Sequence, residues 1–158
     1  VEDGALNKVA AYASRDTGDA RKAVELLAKA VKEAEKTSGR LTTKEVDIAE
    51  RQLEVDKTEQ LINALAKQQQ LVLNACYTLL LRDSQKITTG QAYEVYKKTC
   101  MVEGLGPLTQ RRFSDILSSL DLYGLINARV ISRGRYGSTR EISSALPREI
   151  VKNFLKSD

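Results

Sequence analysis

The sequence predicts a mainly α-helical protein in two parts: a small helical bundle, then three helices, a β-hairpin and a last helix. Three observations support this fold class. Apolar residues recur at helical spacing over most of the chain, the spacing changes to a strand-like pattern near residue 126, and glycines interrupt a basic segment at 133–137. The 158 residues suffice for one domain or two small ones.

Two helices are predicted to open the first part. A short helix covers 4–15, and a longer one runs over 19–36 after a break at 16–19 that contains good capping residues. Gly39 suits the left-handed end of the second helix. The residues expected to face the core are Leu6, Val9, Ala10, Ala13, Ala20, Ala23, Val24, Leu27, Ala30, Val31 and Ala34.

A third helix should complete the bundle. Thr42 and Glu45 are three residues apart and match a capping box, which marks the start of a helix. Val46, Ala49 and Leu53 are its expected inner face, and it is expected to end at about residue 55.

A division near residue 56 is predicted, with a helical domain at 1–56, a second domain at 57–158 and a short polar connection at 56–58. Charge is also divided unevenly. Residues 1–66 carry 11 basic and 13 acidic side chains, a net of −2, whereas residues 67–158 carry 14 and 8, a net of +6. This asymmetry favours an anionic partner for the second part, although a solvated basic face is the plainer alternative.

The second part begins with three predicted helices. The first covers 58–81 and is expected to kink near 68–70. Thr88 and Gln91 form another capping box, which starts a helix with Ala92, Val95, Tyr96 and Cys100 inside. After a turn at 104–107, Thr109 is expected to cap a helix with Phe113, Ile116, Leu117 and Leu120 on one side.

A β-hairpin and a final helix follow. The predicted strands are 126–131 and 138–143, joined by the tip at 133–137. Pro147 suits the start of a last helix, whose inner face is Ile150, Val151, Phe154 and Leu155. Three helices, a hairpin with a basic tip and a helix make up a winged helix-turn-helix.

This fold predicts binding of double-stranded DNA. In a winged helix the third helix enters the major groove, and the hairpin reaches the neighbouring backbone or the minor groove. Arg and Gln suit guanine and adenine edges, and Ser or Thr suit phosphates. Six arginines lie within 109–140. The candidate DNA-binding residues are Thr109, Gln110, Arg111, Arg112 and Ser114 in the helix and Arg133, Arg135 and Tyr136 in the wing.

No catalytic set or metal site is predicted. The chain has no His and no glycine-rich phosphate loop, and its two cysteines, Cys76 and Cys100, are expected in the core of a protein from a reducing compartment. No apolar run reaches the roughly 20 residues of a membrane span. There is no Met at the start and no signal peptide, which suggests a piece of a larger protein.

The segment Gly18-Asp19-x-Arg21-Lys22-Ala23-x-x-Leu26-Leu27 resembles the second-sensor motif of AAA+ ATPases. Taken alone, an Arg in the first turn of a helix is most often a surface residue. The resemblance implies that Arg21 senses the γ-phosphate of ATP bound to a neighbouring nucleotide-binding domain.

Nearly the whole chain resembles the C-terminal half of the archaeal replication initiators, AAA+ proteins of the origin-recognition-complex and cell-division-control family. Beyond the sensor motif, the resemblance rests on 69–73, 107–116 and 122–126. It implies origin binding, recruitment of the replicative helicase or other initiators, and a cytoplasmic, nucleoid-associated location. The nucleotide-binding domain is missing from this sequence, so no cofactor or enzymatic activity is expected here; ATP or ADP with Mg would bind in the full-length parent.

The sequence is also compatible with two other functions. The winged helix could dock the helicase or another initiator, with DNA contact incidental. The chain could also be an unrelated winged-helix transcription regulator with a helical dimerisation domain, although such a regulator has no use for a second-sensor motif.

Overall fold

The computed structural model describes residues 1–15, 20–82 and 86–156. The chain divides into two compact units, Val1–Leu61 and Ile62–Asp158. Its elements in chain order are α1 (Asp3–Ser14), α2 (Ala20–Lys36), α3 (Thr43–Asn63), α4 (Lys67–Arg82), β1 (Ile87–Thr88), α5 (Thr89–Val102), α6 (Gln110–Leu122), β2 (Ile126–Ser132), a 3₁₀ turn (Gly134–Tyr136), β3 (Ser138–Ser144) and α7 (Arg148–Lys156). The predicted fold class is confirmed: helices dominate, and a wing hairpin follows α6.

The first unit packs α1, α2 and the start of α3 around one apolar cluster. Gly39 adopts the expected left-handed conformation (φ 71°), and its N–H donates to the Ala34 carbonyl at 2.7 Å. The predicted capping residues at 16–19 lie outside the described part of the chain. The buried members of the cluster are Ala5, Val9, Leu26, Ala30, Ala34, Leu41, Val46, Ala49 and Leu53.

Part of the predicted inner face of this unit was wrong. Leu6, Ala10, Ala20, Val24 and Val31 are exposed. Helix α2 carries apolar residues around more than one side, so spacing alone allows several stripes. The structure buries the stripe that includes Leu26, which is about half a helical turn away from Val24.

Helix α3 is longer than predicted. It continues to Asn63 instead of ending near Val55, so the expected polar connection at 56–58 is helical. No Gly or Pro occurs between its ends, and no residue type in that stretch stops a helix. The actual break lies at 64–66, not at a kink near 68–70; the Ala66 N–H there donates to Gln69 Oε1 at 3.0 Å and begins α4.

Helix α4 is the central element of the second unit. Seven of its sixteen residues are buried: Leu71, Val72, Leu73, Ala75, Cys76, Tyr77 and Leu80. Helices α5, α6 and α7 and the sheet pack against it. The predicted capping box of Thr88 and Gln91 is confirmed, with both of its hydrogen bonds formed.

The sheet has three antiparallel strands in the order β1-β3-β2. The hairpin pairs Ile126 with Ser144 at one end and Ser132 with Ser138 at the other. Strand β1 was not predicted because two residues are too short to show a period; it pairs Ile87 with Ile142. Within the described residues, the helices are all too short or too polar to cross a membrane.

Candidate nucleic-acid interface

Helix α6 presents one buried and one exposed face. The Thr109 hydroxyl caps it by accepting from the Arg112 N–H at 3.3 Å, as predicted. Phe113, Leu117 and Leu120 are fully buried. The hydrophobic stripe therefore anchors the helix and leaves the polar residues of its first turn facing outward.

Two tyrosines of α5 hold the residue that precedes α6. Tyr93 Oη donates to the Leu108 carbonyl at 2.9 Å, and the Leu108 N–H donates to Tyr96 Oη at 2.9 Å. Tyr96 Oη in turn donates to Gln68 Oε1 at 2.5 Å. Both tyrosine rings pack on Phe113, with centroids 5.1 and 5.2 Å away. The start of α6 is therefore held in place by hydrogen bonds to both the N–H and the carbonyl of Leu108.

A third tyrosine holds the residues after α6. Tyr77 Oη donates to the Leu125 carbonyl at 2.8 Å, directly before β2. Burial raises the pKa of Tyr77, so its hydroxyl keeps its proton and remains a donor at neutral pH. Both ends of α6 are thus tied to the core by phenol hydroxyls.

The tip of the hairpin is short, basic and exposed. The Arg133 N–H donates to the Gly137 carbonyl at 2.7 Å and closes the tip. Gly134 and Gly137 have φ of 62° and 85°, in the region that glycine adopts without strain. Arg133, Arg135 and Tyr136 are exposed, Tyr136 by 83%.

A groove of about 500 Å³ lies between α6, the wing and the N-terminus of α5. Four predicted DNA-binding residues line it: Gln110, Ser114, Arg133 and Tyr136. The other lining residues are Thr88, Thr89, Gly90, Val130, Ser138, Thr139 and Arg140. The described lining residues include two arginines and no acid, so the groove favours an anion.

The remaining predicted residues lie beside the groove. Arg111 and Arg112 are exposed in the first turn of α6, and Arg135 is exposed at the wing tip, but none of the three lines the groove. Thr109 is exposed and serves as the helix cap. The structure therefore brings half of the predicted set to one cavity and leaves the others around it.

Two features of this groove were not predicted from the sequence: its α5 side and the position of Arg140. Thr88 and Thr89 were assigned only to a helix start. Arg140 was counted among the arginines but not selected, although strand alternation places it on the same side of β3 as the buried Ile142. The alternation of side chains along β3 could therefore have indicated that Arg140 faces α6 and not solvent.

Arg21 lies far along the chain from this groove, in the other unit. It is an exposed residue in the first turn of α2.

Both cysteines are buried, and burial raises the pKa of Cys76 to about 12, which makes it unreactive. The described residues contain no group of three or more His, Cys, Asp or Glu side chains placed to hold a metal ion.

A winged helix with an open basic groove, preceded by a small helical unit, is typical of DNA-binding proteins of the winged-helix class. Two family models match this arrangement. One is described as the Cdc6 AAA+ ATPase-type lid domain and matches residues 1–51; the other, the CDC6 C-terminal winged helix domain, matches residues 60–154. The chain therefore belongs to the Cdc6/Orc1 family and comprises its lid and winged-helix domains.

Curated relatives agree with this assignment. The chain is 39% identical over its full length to an ORC1-type DNA replication protein 1 of Archaeoglobus fulgidus, of which it covers 39%. It is 40% identical to the ORC1-type DNA replication protein 1 of Sulfolobus acidocaldarius, of which it covers 40%. The chain thus spans about two-fifths of the length of these relatives.

Solved structures are also similar. The Aeropyrum pernix ORC1 protein in complex with DNA matches 99% of this chain with a TM-score of 0.80 and 37% identity, and 41% of that protein is covered. Drosophila ORC bound to DNA matches 98% of the chain at 20% identity with a TM-score of 0.56, which shows a shared fold.

Proposed function

We propose that this chain binds double-stranded replication-origin DNA as the lid and winged-helix part of an AAA+ initiator. The observation that carries the proposal is the groove between α6 and the wing, which gathers Gln110, Ser114, Arg133 and Tyr136. A relative of 37% identity has been solved in complex with DNA, which supports the same ligand here.

The geometry suits the major groove of B-form DNA. Helix α6 has 13 residues, a length of about 20 Å, and the major groove is about 12 Å wide. Gln110 and Ser114 are one turn apart and share the side that faces the wing. Gln110 suits an adenine edge, and the arginines of the wing suit phosphates or a narrow minor groove.

The lid supports a second part of the proposal. In the full-length parent, Arg21 contacts the γ-phosphate of ATP that is bound with Mg by the neighbouring domain. The match to an AAA+ lid and the exposure of Arg21 support this role. Any ATPase chemistry belongs to parts of the parent other than this chain.

Recruitment of the replicative helicase or of another initiator follows from the proposed role, as does a nucleoid-associated location. A specific observation favours a protein-docking function as the second candidate. Met101 and Val102, at the end of α5, are two adjacent large apolar side chains that are 79% and 87% exposed.

Binding should be measured on two duplexes at two salt concentrations. The origin duplex carries an inverted-repeat element of an archaeal replication origin, and the scrambled duplex has the same composition. We expect tighter binding to the origin duplex and weaker binding to both at high salt. Equal binding to both duplexes would leave only a basic surface, and no binding to either would favour the docking function.

A further inference from the structure

The Arg140 side chain joins the wing to α6. Its Nη1 donates to the Ser114 carbonyl at 3.0 Å and to Ser118 Oγ at 2.7 Å. The Arg140 N–H donates to Thr89 Oγ1 at 3.2 Å. One residue of β3 is therefore bonded to α6 through its side chain and to the start of α5 through its backbone.

Arg140 lies where the sheet narrows from three strands to two. Strand β1 pairs with Ile142 and Glu141, and the next pair toward the tip is Arg140 with Val130. Beyond this point the hairpin has no third strand in the described part of the chain. An isolated two-stranded hairpin is marginally stable in water, so a contact at its base has a large effect on where the tip lies.

We propose that Arg140 is a positioning residue, which sets the wing at a fixed angle to α6 and so allows both to contact one duplex. The proposal rests on the proposed DNA-binding function. It separates Arg140 from the arginines at the wing tip: Arg133 and Arg135 act on DNA, whereas Arg140 acts on the protein.

The bonding partners support this assignment. Both acceptors of Nη1 belong to α6, and an Arg bond to a carbonyl or a hydroxyl is strengthened by the charge. Ser118 Oγ also donates to the Ser114 carbonyl at 3.3 Å, so the acceptors are themselves linked. The alternative is that Arg140, which lines the groove, contacts a DNA phosphate directly.

Three variants distinguish the two roles. Ser118→Ala removes one acceptor and keeps every charge, whereas Arg140→Gln removes the charge. Arg129→Gln is the matched control: Arg129 is opposite Glu141 in the register, so it lies on the other face of the hairpin from Arg140. The Arg129→Gln variant loses one positive charge, as Arg140→Gln does, but keeps the hydrogen bonds between Arg140 and α6.

We expect Ser118→Ala and Arg140→Gln to weaken binding to the origin duplex by about tenfold and to change the salt dependence by the same amount, because both release the wing and its phosphate contacts. Arg129→Gln should leave the preference for the origin duplex unchanged. The proposal is overturned if Arg140→Gln lowers the slope of log K against log salt by about one unit while Ser118→Ala binds like the wild type, since that pattern marks a phosphate contact.

A second measurement needs no DNA. Amide hydrogen exchange of the wing, residues 126–144, should be several-fold faster in Ser118→Ala and Arg140→Gln than in the wild type or in Arg129→Gln. Unchanged exchange in both variants would contradict the positioning role. If the wild type binds neither duplex, the DNA-binding function fails, and the exchange measurement still decides whether Arg140 holds the wing.

Discussion

At the scale of single residues, the Tyr96 hydroxyl joins three segments of the second unit. It accepts from the Leu108 N–H and donates to Gln68, and the Tyr96 ring is fully buried. We expect Tyr96→Phe to lower the free energy of unfolding by about 1–3 kcal/mol, because it leaves two part-buried polar groups, the Leu108 N–H and the Gln68 amide oxygen, without their partner. Urea unfolding measures this loss. Tyr136→Phe, at the exposed wing tip, is the control and should change stability little.

Glu45 gives the first unit a dependence on pH. Its carboxylate accepts from the Thr42 N–H at 2.9 Å and from the Thr42 hydroxyl, and the bond with this side chain holds the pKa of Glu45 below its ordinary value. A lowered pKa in the folded state means that the stabilisation is complete above the ordinary pKa, about 4.3, and is lost as the pH falls through the lowered value.

Glu45→Gln should therefore reduce the loss of stability between pH 5 and pH 3, because the amide has no proton to gain. Chemical unfolding followed over this range measures the change. Glu54→Gln alters an exposed residue of the same helix and serves as the control. An acid-induced loss in Glu45→Gln equal to that of the wild type would show that other carboxylates account for it.

At the scale of elements, α6 and the wing should lose affinity in different ways. The pair Arg133 and Arg135 lies at a hairpin tip with long reach, so replacing both with Ala should weaken binding to every duplex and reduce the salt slope by about one unit per lost phosphate contact. The pair Arg111 and Arg112 lies in the first turn of α6. Replacing whichever of them contacts a base should cost about 1–3 kcal/mol on the origin duplex and less on the scrambled one.

Binding of these variants to both duplexes at two salt concentrations separates the two pairs. Equal losses for both pairs on both duplexes would indicate an undirected basic surface. A complete absence of effect would favour the protein-docking function of the winged helix.

At the scale of the whole molecule, the position of the division can be tested by truncation. Ile62 and Leu65 are buried in the second unit although they precede α4. A segment of residues 60–158 should fold and keep most of the DNA affinity, since the first 66 residues carry a net charge of −2. A segment that starts at Lys67 loses both buried side chains and should be less stable by several kcal/mol. Equal stability of the two segments would contradict this division.

The whole chain should not bind ATP measurably. Arg21 supplies one contact, and a hydrogen bond to a charged group contributes about 1.5–3 kcal/mol, whereas micromolar affinity requires about 8 kcal/mol. Titration calorimetry with MgATP measures the binding directly, and micromolar affinity for this chain would contradict the prediction. In the full-length parent, Arg21→Ala should impair the nucleotide-dependent steps while the fold stays intact.

Local signals in the sequence were sufficient for the starts of α5 and α6 and for the wing hairpin. The capping box of Thr88 and Gln91 and the cap at Thr109 depend on residues within one turn, so they can be recognised without tertiary structure. The glycines at 134 and 137 marked the wing tip for the same reason. The family motifs then identified the lid and the winged helix from contiguous segments.

Tertiary structure decided what depends on residues distant in the chain. Helix α2 offered several apolar stripes, and only packing against its neighbours selected Leu26 over Val24. Strand β1 exists because β3 supplies its partners. Arg140 reads as one more basic residue in the sequence, whereas the fold places its guanidinium against the carbonyl of Ser114, 26 residues earlier. The spacing of residues along the chain cannot predict such contacts, because they depend on how separate elements pack together.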